Sequence, residues 1–418
     1  MKSLKRGSTL ITLMLLVFIT GLGLLVAKIQ MEASFYISNS GSRDLGYIYD
    51  RNGDIIFDDD AREGDYPDGY FKGFGNLIGD ASGQMTNTLV AKNLERLTSG
   101  ITRKGGKAAI YSTLDHKANE QVYSAFGDKE GCAIAYNYKT GEILVCVSRP
   151  SVDPLKGYDD LEEGSLLCKA FYKTIPGSTQ KVATLISATE TMGMDKLMEK
   201  SYTCNGVYTN QTGLDIVCHN SYGHGTQNIA EAFANSCNPF FAQLVEDPDW
   251  TLDDIERCYT NLGIAVNDAE EKEFSIDGII SETASTELTD KYEFNTQWGC
   301  IGQGKTVVSP CQMMMWQSAI ANESGKSTMP HLDHVTNVNG RTVETESTKY
   351  SDQLFSAKTA SDVKEILLEN GQNYTGRIPG YTLGIKSGTA QVKDGEEENS
   401  LLVGFVDDED FDSICDTY

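Results

Sequence analysis

The sequence predicts an α+β protein in which one N-terminal membrane helix carries a small β-rich segment and a larger domain of mixed strands and helices. Three observations predict this arrangement. First, Gly7 to Ala27 contains no charged residue. Second, two short strand-like runs flank an Asn-Gly turn signal near residue 52. Third, beyond residue 108 a strand pair comes first, helical patterns fill the middle and strand-like runs close the chain, which is typical of an α+β domain.

The uncharged stretch is as long as a helix needs to be to cross a bilayer core, which is about 20 residues. Lys2, Lys5 and Arg6 precede it, and such positive flanks stay in the cytoplasm. We therefore expect a cytoplasmic tail at 1–6, a transmembrane anchor at 7–28 and a single-pass protein of the cell membrane whose body lies outside the cytoplasm. The alternative is a cleaved signal peptide, but Lys28 to Met31 offers no small-residue cleavage site.

The composition argues against nucleic acid as a partner. Of the 418 residues, 35 are Lys or Arg and 60 are Asp or Glu, so the formal net charge is −25. Phosphate backbones are bound by clustered positive charge, which this balance does not supply. The 40% of hydrophobic residues is ordinary for a globular protein, and ten cysteines in so long a chain are too dilute for a disulfide-framed small fold.

Residues 29–115 are predicted to form a membrane-proximal pedestal rich in β-strands. This region is polar and glycine-rich, and its runs Tyr47-Ile48-Tyr49 and Ile55-Ile56-Phe57 flank Asn52-Gly53. An Asn-Gly pair between two strand-like runs is a strong hairpin signal. We interpret the segment as a pedestal and not as an independent enzyme domain.

Residues 116–418 are predicted to form the second domain. Helical spacing of apolar residues predicts helices within 114–126, 182–198, 229–244 and 310–321. Strand-like runs cover 132–136, 143–147, 381–392 and 401–406, and a short turn at 139–142 joins the first two into a hairpin. The sheet of this domain should therefore draw on both ends of the segment.

Ser178 and Lys181 stand in an S-x-x-K pattern just ahead of an apolar helical run. If Ser178 opens that helix, Lys181 follows one turn later on the same face and can reach the hydroxyl. A lysine kept neutral by desolvation can take the proton of a serine and so turn it into a nucleophile. The same pattern recurs at Ser361 and Lys364, which we expect on a solvated helix face.

Two further short patterns strengthen the S-x-x-K signal. Ser236-Cys237-Asn238 precedes a proline inside a segment of helical pattern, so it should form a turn with exposed polar side chains. Lys386-Ser387-Gly388-Thr389 lies in a strand-like run, where glycine permits close approach of a ligand. Each alone is an ordinary polar turn or strand, but the order S-x-x-K, S-x-N, K-S/T-G is that of penicillin-recognising serine enzymes.

The sequence resembles a class B penicillin-binding protein over nearly its whole length. Asp50-Arg51-Asn52-Gly53 is similar to the membrane-proximal D-R-N-G of that family. Tyr138 to Leu144 (Y-K-T-G-E-I-L), followed by Ser148 to Pro154 (S-R-P-S-V-D-P), resembles its entry hairpin. Ile301-Gly302-Gln303-Gly304 and Ser309 to Met313 (S-P-C-Q-M) resemble its I-G-Q-G and T-P-L-Q-M signatures. The resemblance implies a transpeptidase domain with a central antiparallel sheet and helices on both sides.

The resemblance also implies a role for each motif residue in a peptidoglycan D,D-transpeptidase. Ser178 would attack the carbonyl between two terminal D-alanines and form an acyl-enzyme, with Lys181 as its base. Ser236 would relay the proton to the leaving amine and Asn238 would bind the substrate backbone. Lys386 would supply positive charge near Ser236. Ser387, Gly388 and Thr389 would bind the substrate, and the hydroxyls of Ser387 and Thr389 would hold its carboxylate. The backbone N–H groups of Ser178 and Thr389 would form the oxyanion hole.

The same resemblance implies that β-lactams and peptidoglycan stem peptides bind, and that no cofactor is required for catalysis. Class B relatives pair with a polytopic SEDS-family glycosyltransferase in the membrane, which is the partner we expect. Two other functions use the same motifs: a membrane-bound β-lactamase or β-lactam sensor, and a catalytically impaired scaffold of a cell-wall synthesis complex.

Three thiols and one imidazole are available near the second motif. Three of these residues lie in the loop between the first two motifs, and the fourth is the middle residue of Ser236-Cys237-Asn238; they are Cys204, Cys218, His224 and Cys237. This donor set suits a structural zinc ion in tetrahedral coordination, and some elongation-type relatives carry a metal in the corresponding loop. His219 is the competing nitrogen ligand. A Cys204–Cys218 disulfide and free thiols are the alternatives.

The chain departs from the family pattern at two places. Leu401-Leu402 stand where the family has an aromatic pair before its V-G-F strand. After that strand the family continues with another strand and a helix, and the remaining residues here are unlike either because of Asp407, Asp408, Glu409, Asp410 and Asp412. The resemblance therefore predicts a C-terminus that is truncated.

Overall fold

The computed structural model of the chain describes residues 13–27, 45–98, 108–338, 341–345, 347–392 and 397–407. The first range is a helix whose side chains are exposed. None of the helices in these ranges is both long enough and apolar enough to cross a membrane. The remainder of the predicted anchor, at 7–12 and 28, and the predicted tail at 1–6 lie outside the described residues.

The described elements alternate short strands with helices. The helices are α1 (13–27), α2 (Gly75–Ile78), α3 (Leu89–Lys92), α4 (Leu94–Thr98), α5 (His116–Ala125), α6 (Lys181–Met192), α7 (Met194–Glu199), α8 (Ile229–Ala234), α9 (Asn238–Val245), α10 (Leu252–Asn261), α11 (Phe294–Ile301), α12 (Pro310–Ala321) and α13 (Ala357–Gly371). Four 3₁₀ turns cover Pro154–Lys156, Lys169–Phe171, Gly177–Gln180 and Gln372–Tyr374. The strands are β1 (Tyr47–Tyr49), β2 (Ile55–Phe57), β3 (Ala109–Ser112), β4 (Gly131–Tyr136), β5 (Ile143–Arg149), β6 (Tyr202–Cys204), β7 (Val207–Thr209), β8 (Asp215–Val217), β9 (Gly225–Gln227), β10 (Ile264–Val266), β11 (Glu273–Ile276), β12 (Ile279–Glu282), β13 (Ala284–Thr286), β14 (Val307–Val308), β15 (Asp333–Val338), β16 (Arg341–Thr345), β17 (Leu383–Val392) and β18 (Glu397–Val406).

The described part of the segment predicted as a pedestal contributes β1, β2 and β3 to a five-stranded sheet of order β16-β15-β3-β1-β2. The predicted hairpin is confirmed, because β1 pairs antiparallel with β2 and Gly53 takes φ +93 in the turn between them. β15 and β16 lie in the segment that was predicted to form the second domain. This sheet therefore takes strands from both predicted segments, which sequence patterns could not indicate because these pairings are non-local.

The α+β content of the second domain is confirmed, but its sheet differs from the prediction. Within the described residues, β4–β5 and β17–β18 are two separate antiparallel hairpins and not parts of one central sheet. Helix α12 packs against β4 of one hairpin and β18 of the other, and α13 packs against β17. Helix packing, and not a shared hydrogen-bond ladder, holds the two hairpins together there.

Helix α6 lies at the centre of the second domain. Its residues from Lys181 to Thr189 are all buried, which is the pattern of a helix that is enclosed on every side. α10, α11 and α13 all pack against it. The end of α6 that carries Lys181 is therefore fixed in the core, and the site below is built around that end.

The two predicted domains share one cluster of buried side chains. Ile143, Cys146 and Phe171 belong to the same apolar cluster as Ile48 and Phe74 of the segment predicted as a pedestal. Burial of apolar surface in one shared cluster stabilises the contact between the two segments. Phe171, which precedes the turn of Ser178, is part of that cluster.

Candidate active site

Ser178 lies in a tight turn at the start of α6. Gly177 to Gln180 form a 3₁₀ turn that continues into the helix at Lys181. Gly177 has φ +53, and a Cβ on it would lie 2.5 Å from the carbonyl oxygen of Thr389. Only glycine allows this turn to press so closely against β17. The half-buried Ser178 is thereby placed beside the K-S-G strand.

Lys181 is fully buried and its Nζ lies at the centre of the site. It donates to Ser236 O at 2.8 Å and to Asn238 Oδ1 at 2.7 Å, and it lies 3.0 Å from Ser178 Oγ and 3.3 Å from Ser236 Oγ. Burial, with a further contribution from the charge of Lys386, holds the pKa of Lys181 well below its usual value. The first and second motifs thus meet at one amine whose neutral form is favoured.

Ser236 lies between α8 and α9, which fall within the single helical segment predicted at 229–244. It takes φ +51 after α8, and the N–H of Cys237 donates to the carbonyl of Ala232 at 3.0 Å. A left-handed residue of this kind ends a helix and redirects the chain. The predicted turn is confirmed, but Ser236 and Asn238 are half-buried and not exposed as expected. The turn directs the Ser236 hydroxyl towards both buried lysines.

Lys386 is the second buried cation of the site, with 1% of its surface exposed. Its Nζ donates to Ser236 Oγ at 3.0 Å and to Ser387 O at 2.9 Å. Burial lowers the pKa of Lys386 to about 8. Ser236 Oγ therefore connects Lys386 to Lys181 through two short contacts, as a proton relay requires.

Gly388 serves a purpose that differs from the one expected of it. A Cβ on Gly388 would lie 2.9 Å from the backbone nitrogen of Thr179 and 3.2 Å from the carbonyl oxygen of Pro176. The turn that carries Ser178 therefore occupies the space beside this glycine. The absence of a side chain allows that turn to pack there, and it does not leave room for a ligand. The half-buried Ser387 and the exposed Thr389 remain as the hydroxyls at the open side of the strand.

The second S-x-x-K pattern is not a site. Ser361 and Lys364 lie on α13, and Lys364 Nζ contacts Glu323 Oε1 at 2.7 Å and Asp407 Oδ1 at 2.9 Å. Its side chain is only 12% exposed. The expectation of a solvated helix face is therefore wrong for Lys364, which is mostly buried and ion-paired. The two acidic partners raise its pKa against the effect of burial.

The predicted metal ligands come together in one cluster. The ligand atoms of Cys204, Cys218, His224 and Cys237 all lie within 4.8 Å of one another, and Cys218 Sγ is 3.4 Å from His224 Nδ1. His219 Nδ1, the competing nitrogen, is 4.0 Å from Cys218 Sγ. All nine cysteines in the described ranges, Cys204 and Cys218 included, are free thiols.

This cysteine cluster is joined to the catalytic residues by two routes. Cys237 is the residue between Ser236 and Asn238. In addition, Asn238 Nδ2 donates to the carbonyl of Val217, the residue before Cys218, at 3.2 Å. Burial opposes ionisation of Cys204, but hydrogen bonds from the backbone N–H groups of Gly206 and His224 and from the neighbouring thiols together outweigh it, so the pKa of this thiol is lowered.

Several contacts of the site were not predicted from the sequence. The rings of Phe241 and Phe233 lie 5.4 Å from Lys181 Nζ and 5.5 Å from Lys386 Nζ, where cation–π attraction acts. Each phenylalanine is three residues outside Ser236-Cys237-Asn238, a helical spacing that was an available signal. Tyr374, whose hydroxyl contacts Ser387, carried no such signal.

The arrangement can perform acyl transfer. A serine hydroxyl lies within hydrogen-bond distance of a buried amine, which in turn contacts a second hydroxyl linked to another buried lysine. These are the parts of an activated nucleophile with a general base and a proton relay. Hydroxyls on an adjacent strand can hold an anionic substrate group.

Comparison with known proteins identifies the family. The model of the penicillin-binding protein transpeptidase domain matches residues 131–413. Stage V sporulation protein D of Bacillus subtilis is 30% identical over 285 residues, which cover 66% of this chain and 42% of that protein. The peptidoglycan D,D-transpeptidase PbpA of Mycolicibacterium smegmatis is 25% identical over 329 residues, covering 72% of this chain and 64% of that protein. The chain thus spans less than two thirds of the length of both relatives.

A solved structure shares the fold. Penicillin-binding protein A of M. tuberculosis, in its ceftriaxone acyl-enzyme complex, is similar with a TM-score of 0.74 at 18% identity, covering 87% of this chain and 89% of that one. Because the family model matches more than half of the chain, the chain belongs to the penicillin-binding protein transpeptidase family, in its class B.

Proposed function

We propose that the chain is a peptidoglycan D,D-transpeptidase that works through an acyl-enzyme on Ser178 and is a target of β-lactams. The observation that carries the proposal is the position of Lys181 Nζ, 3.0 Å from Ser178 Oγ and within 3.3 Å of Ser236 Oγ. Burial favours the neutral amine at this point. A neutral amine in contact with a serine hydroxyl is a general base for that serine.

In the acylation step, Ser178 Oγ attacks the carbonyl between the two terminal D-alanines of a stem peptide while its proton passes to Lys181. The contacts from Lys181 to Ser236 Oγ and from there to Lys386 give the proton a route towards the departing amine. That amine leaves as D-alanine and the acyl group stays on the serine. The backbone N–H groups of Ser178 and Thr389 are the donors for the developing oxyanion.

In the second step, an amine of a neighbouring stem peptide attacks the acyl-enzyme and forms the cross-link. The same relay then works in reverse: the attacking amine gives up a proton to the relay, and Lys181 delivers a proton to Ser178 Oγ as the ester bond breaks. In this proposal Asn238 binds the peptide backbone of the substrate. Ser387 and Thr389 bind its terminal carboxylate, and Lys386 supplies positive charge nearby.

We further propose that Cys204, Cys218, His224 and Cys237 hold a structural zinc ion. Three thiols and one imidazole within 4.8 Å of one another are the donor set that tetrahedral zinc takes in structural sites. A bound ion would brace the turn from Ser236 to Asn238 and take no part in the acyl transfer. A Cys204–Cys218 disulfide remains the competing arrangement.

The cellular setting is also part of the proposal. The uncharged stretch from Gly7 to Ala27 behind Lys2, Lys5 and Arg6 supports a single-pass anchor with the catalytic domain outside the cytoplasm. The family resemblance supports a SEDS-family glycosyltransferase as the membrane partner. Co-purification from detergent-solubilised membranes tests this, and a deletion of 38–105 that leaves co-purification intact would contradict a role of the pedestal.

Labelling with a fluorescent penicillin tests the catalytic proposal. The full chain should be labelled lastingly, and Ser178→Ala should abolish the label. Ser361→Ala is the matched control, since it removes the serine of the other S-x-x-K pattern and should leave labelling unchanged.

The time course of the label separates the alternatives. Rapid loss of the label with release of hydrolysed penicillin would indicate a β-lactamase. The absence of any label on a folded chain would indicate a non-catalytic scaffold. Either result would overturn the transpeptidase proposal.

A further inference from the structure

A tyrosine outside the three motifs contacts one of the substrate-binding hydroxyls. Tyr374 Oη donates to Ser387 Oγ at 2.8 Å. Tyr374 ends the 3₁₀ turn that follows α13, thirteen residues before Ser387 in the sequence. Its side chain is half-buried, so the contact is partly shielded from water.

The backbone around Tyr374 is held directly against the strand that carries Ser387. Asn370 Nδ2 at the end of α13 donates to the carbonyl of Ile385 at 2.7 Å. The next residue, Gly371, packs so closely that a Cβ on it would lie 1.6 Å from the carbonyl oxygen of Leu383. The helix end and β17 therefore keep one relative position, which fixes the distance from Tyr374 to Ser387.

The contact determines which way the Ser387 hydroxyl can donate. A serine hydroxyl has one proton and two lone pairs, and a phenol is the more acidic partner and hence the donor. With one lone pair of Ser387 Oγ occupied by Tyr374, the proton of Ser387 is free to point away from the tyrosine. A carboxylate is an acceptor only, so a hydroxyl fixed as a donor suits it.

We infer that Tyr374 is a positioning residue that orients the Ser387 hydroxyl towards the terminal carboxylate of the ligand. This inference rests on the proposed function, in which Ser387 binds that carboxylate. The oriented Ser387 hydroxyl makes the site selective for acyl donors that end in a free carboxylate. Lys386 Nζ donates to the Ser387 carbonyl at 2.9 Å. Its positive charge attracts the ligand carboxylate but does not orient the Ser387 hydroxyl.

The test compares Tyr374→Phe with wild type in the full chain, using benzylpenicillin and its methyl ester, whose carboxyl group is uncharged. The acylation kinetics of each ligand are separated into the binding constant and the rate constant of acylation. Because one hydrogen bond is at stake, Tyr374→Phe should weaken binding of benzylpenicillin about fivefold and leave its rate constant unchanged. Acylation by the ester should change less than about twofold.

Two controls make the result specific. Tyr381→Phe removes a hydroxyl from a partly exposed tyrosine of the same connection and should leave both ligands unaffected. Tyr374→Phe in a Ser387→Ala background should have no further effect, since the group that it orients is gone. Thermal melting of each variant confirms that it is folded.

Other outcomes would overturn the inference. Equal losses for benzylpenicillin and its ester, a loss in the rate constant alone, or full additivity with Ser387→Ala would each assign Tyr374 a general structural role. If wild type itself is not acylated on Ser178, the proposed function fails, and the role of Tyr374 fails with it. Acylation of wild type without a carboxylate-specific loss in Tyr374→Phe refutes the positioning role alone.

Discussion

Replacing Ser236 by glycine is expected to leave the protein more stable than replacing it by alanine, although both changes disable the site. Ser236 has φ +51, a left-handed conformation that costs a residue with a Cβ roughly 1–2 kcal/mol. Glycine avoids this cost but gives the unfolded chain more freedom, which offsets about 0.5–1 kcal/mol. The free energy of unfolding of Ser236→Gly should therefore exceed that of Ser236→Ala by about 0.5–1 kcal/mol.

Both variants lose the same chemistry. The Ser236 hydroxyl lies 3.0 Å from Lys386 Nζ and 3.3 Å from Lys181 Nζ, and removing it breaks the relay between the two lysines. Because a positioned acid–base group contributes about 10²–10⁴-fold to rate, acylation by penicillin should fall at least about 100-fold in both.

The assay measures stability and acylation on the same samples. Urea unfolding of the full chain in detergent can be followed by tryptophan fluorescence, since Trp250 and Trp316 are buried. A glycine variant no more stable than the alanine variant would refute the strain argument. Acylation at the wild-type rate in either variant would refute the relay.

Three further predictions follow from named contacts. Burial lowers the pKa of Lys386 to about 8, so its charge is lost as pH rises through that value. Binding of a carboxylate-bearing penicillin should therefore weaken above about pH 8. Binding that stays constant to about pH 10 would contradict this prediction. Gly388→Ala places a Cβ 2.9 Å from Thr179 N and should destabilise the fold by about 1–3 kcal/mol and slow acylation, as measured by urea unfolding and penicillin labelling. By elemental analysis, protein purified without chelator should contain one equivalent of zinc, and Cys204→Ser should contain less than about a tenth of an equivalent. Chelation should lower the melting temperature of wild type, because the free energy of zinc binding is also folding free energy.

The zinc measurement needs a mapping step to separate zinc from a disulfide. Cys146 Sγ and Cys168 Sγ lie 3.6 Å apart, so oxidation of this pair would also remove two thiols from a titration. Peptide mapping under non-reducing conditions distinguishes the pairs. A Cys204–Cys218 bond with no zinc would end the zinc proposal.

The parts of the site that could be predicted are those whose geometry is local. Ser178 and Lys181 are one helical turn apart, so their spacing predicts that the lysine can reach the serine if Ser178 opens the helix, and the structure has the two groups 3.0 Å apart. The turn at Ser236 to Asn238 was indicated by the proline that follows it. The hairpin at Asn52-Gly53 was indicated by its turn residues.

The parts that could not be predicted depend on which distant segments meet. β15 pairs with β3 across more than 200 residues of chain, and no pattern in either strand specifies the partner. The close packing of Gly388 on the Ser178 turn and the contact between Asn238 and the Val217 carbonyl arise in the same way. Tyr374 was missed because a single tyrosine in a loop has no periodicity that ties it to Ser387.

Acylation of Ser178 by a peptide substrate tests the central claim most directly. The full chain is incubated with a synthetic peptide that ends in D-Ala-D-Ala, together with a D-amino acid as the acceptor amine, and the products and protein peptides are analysed by mass spectrometry. We predict release of D-alanine, a peptide joined to the acceptor, and an acyl adduct on the segment that contains Ser178, all of them absent in Ser178→Ala. An adduct on another residue, or product formation that survives Ser178→Ala, would contradict the account.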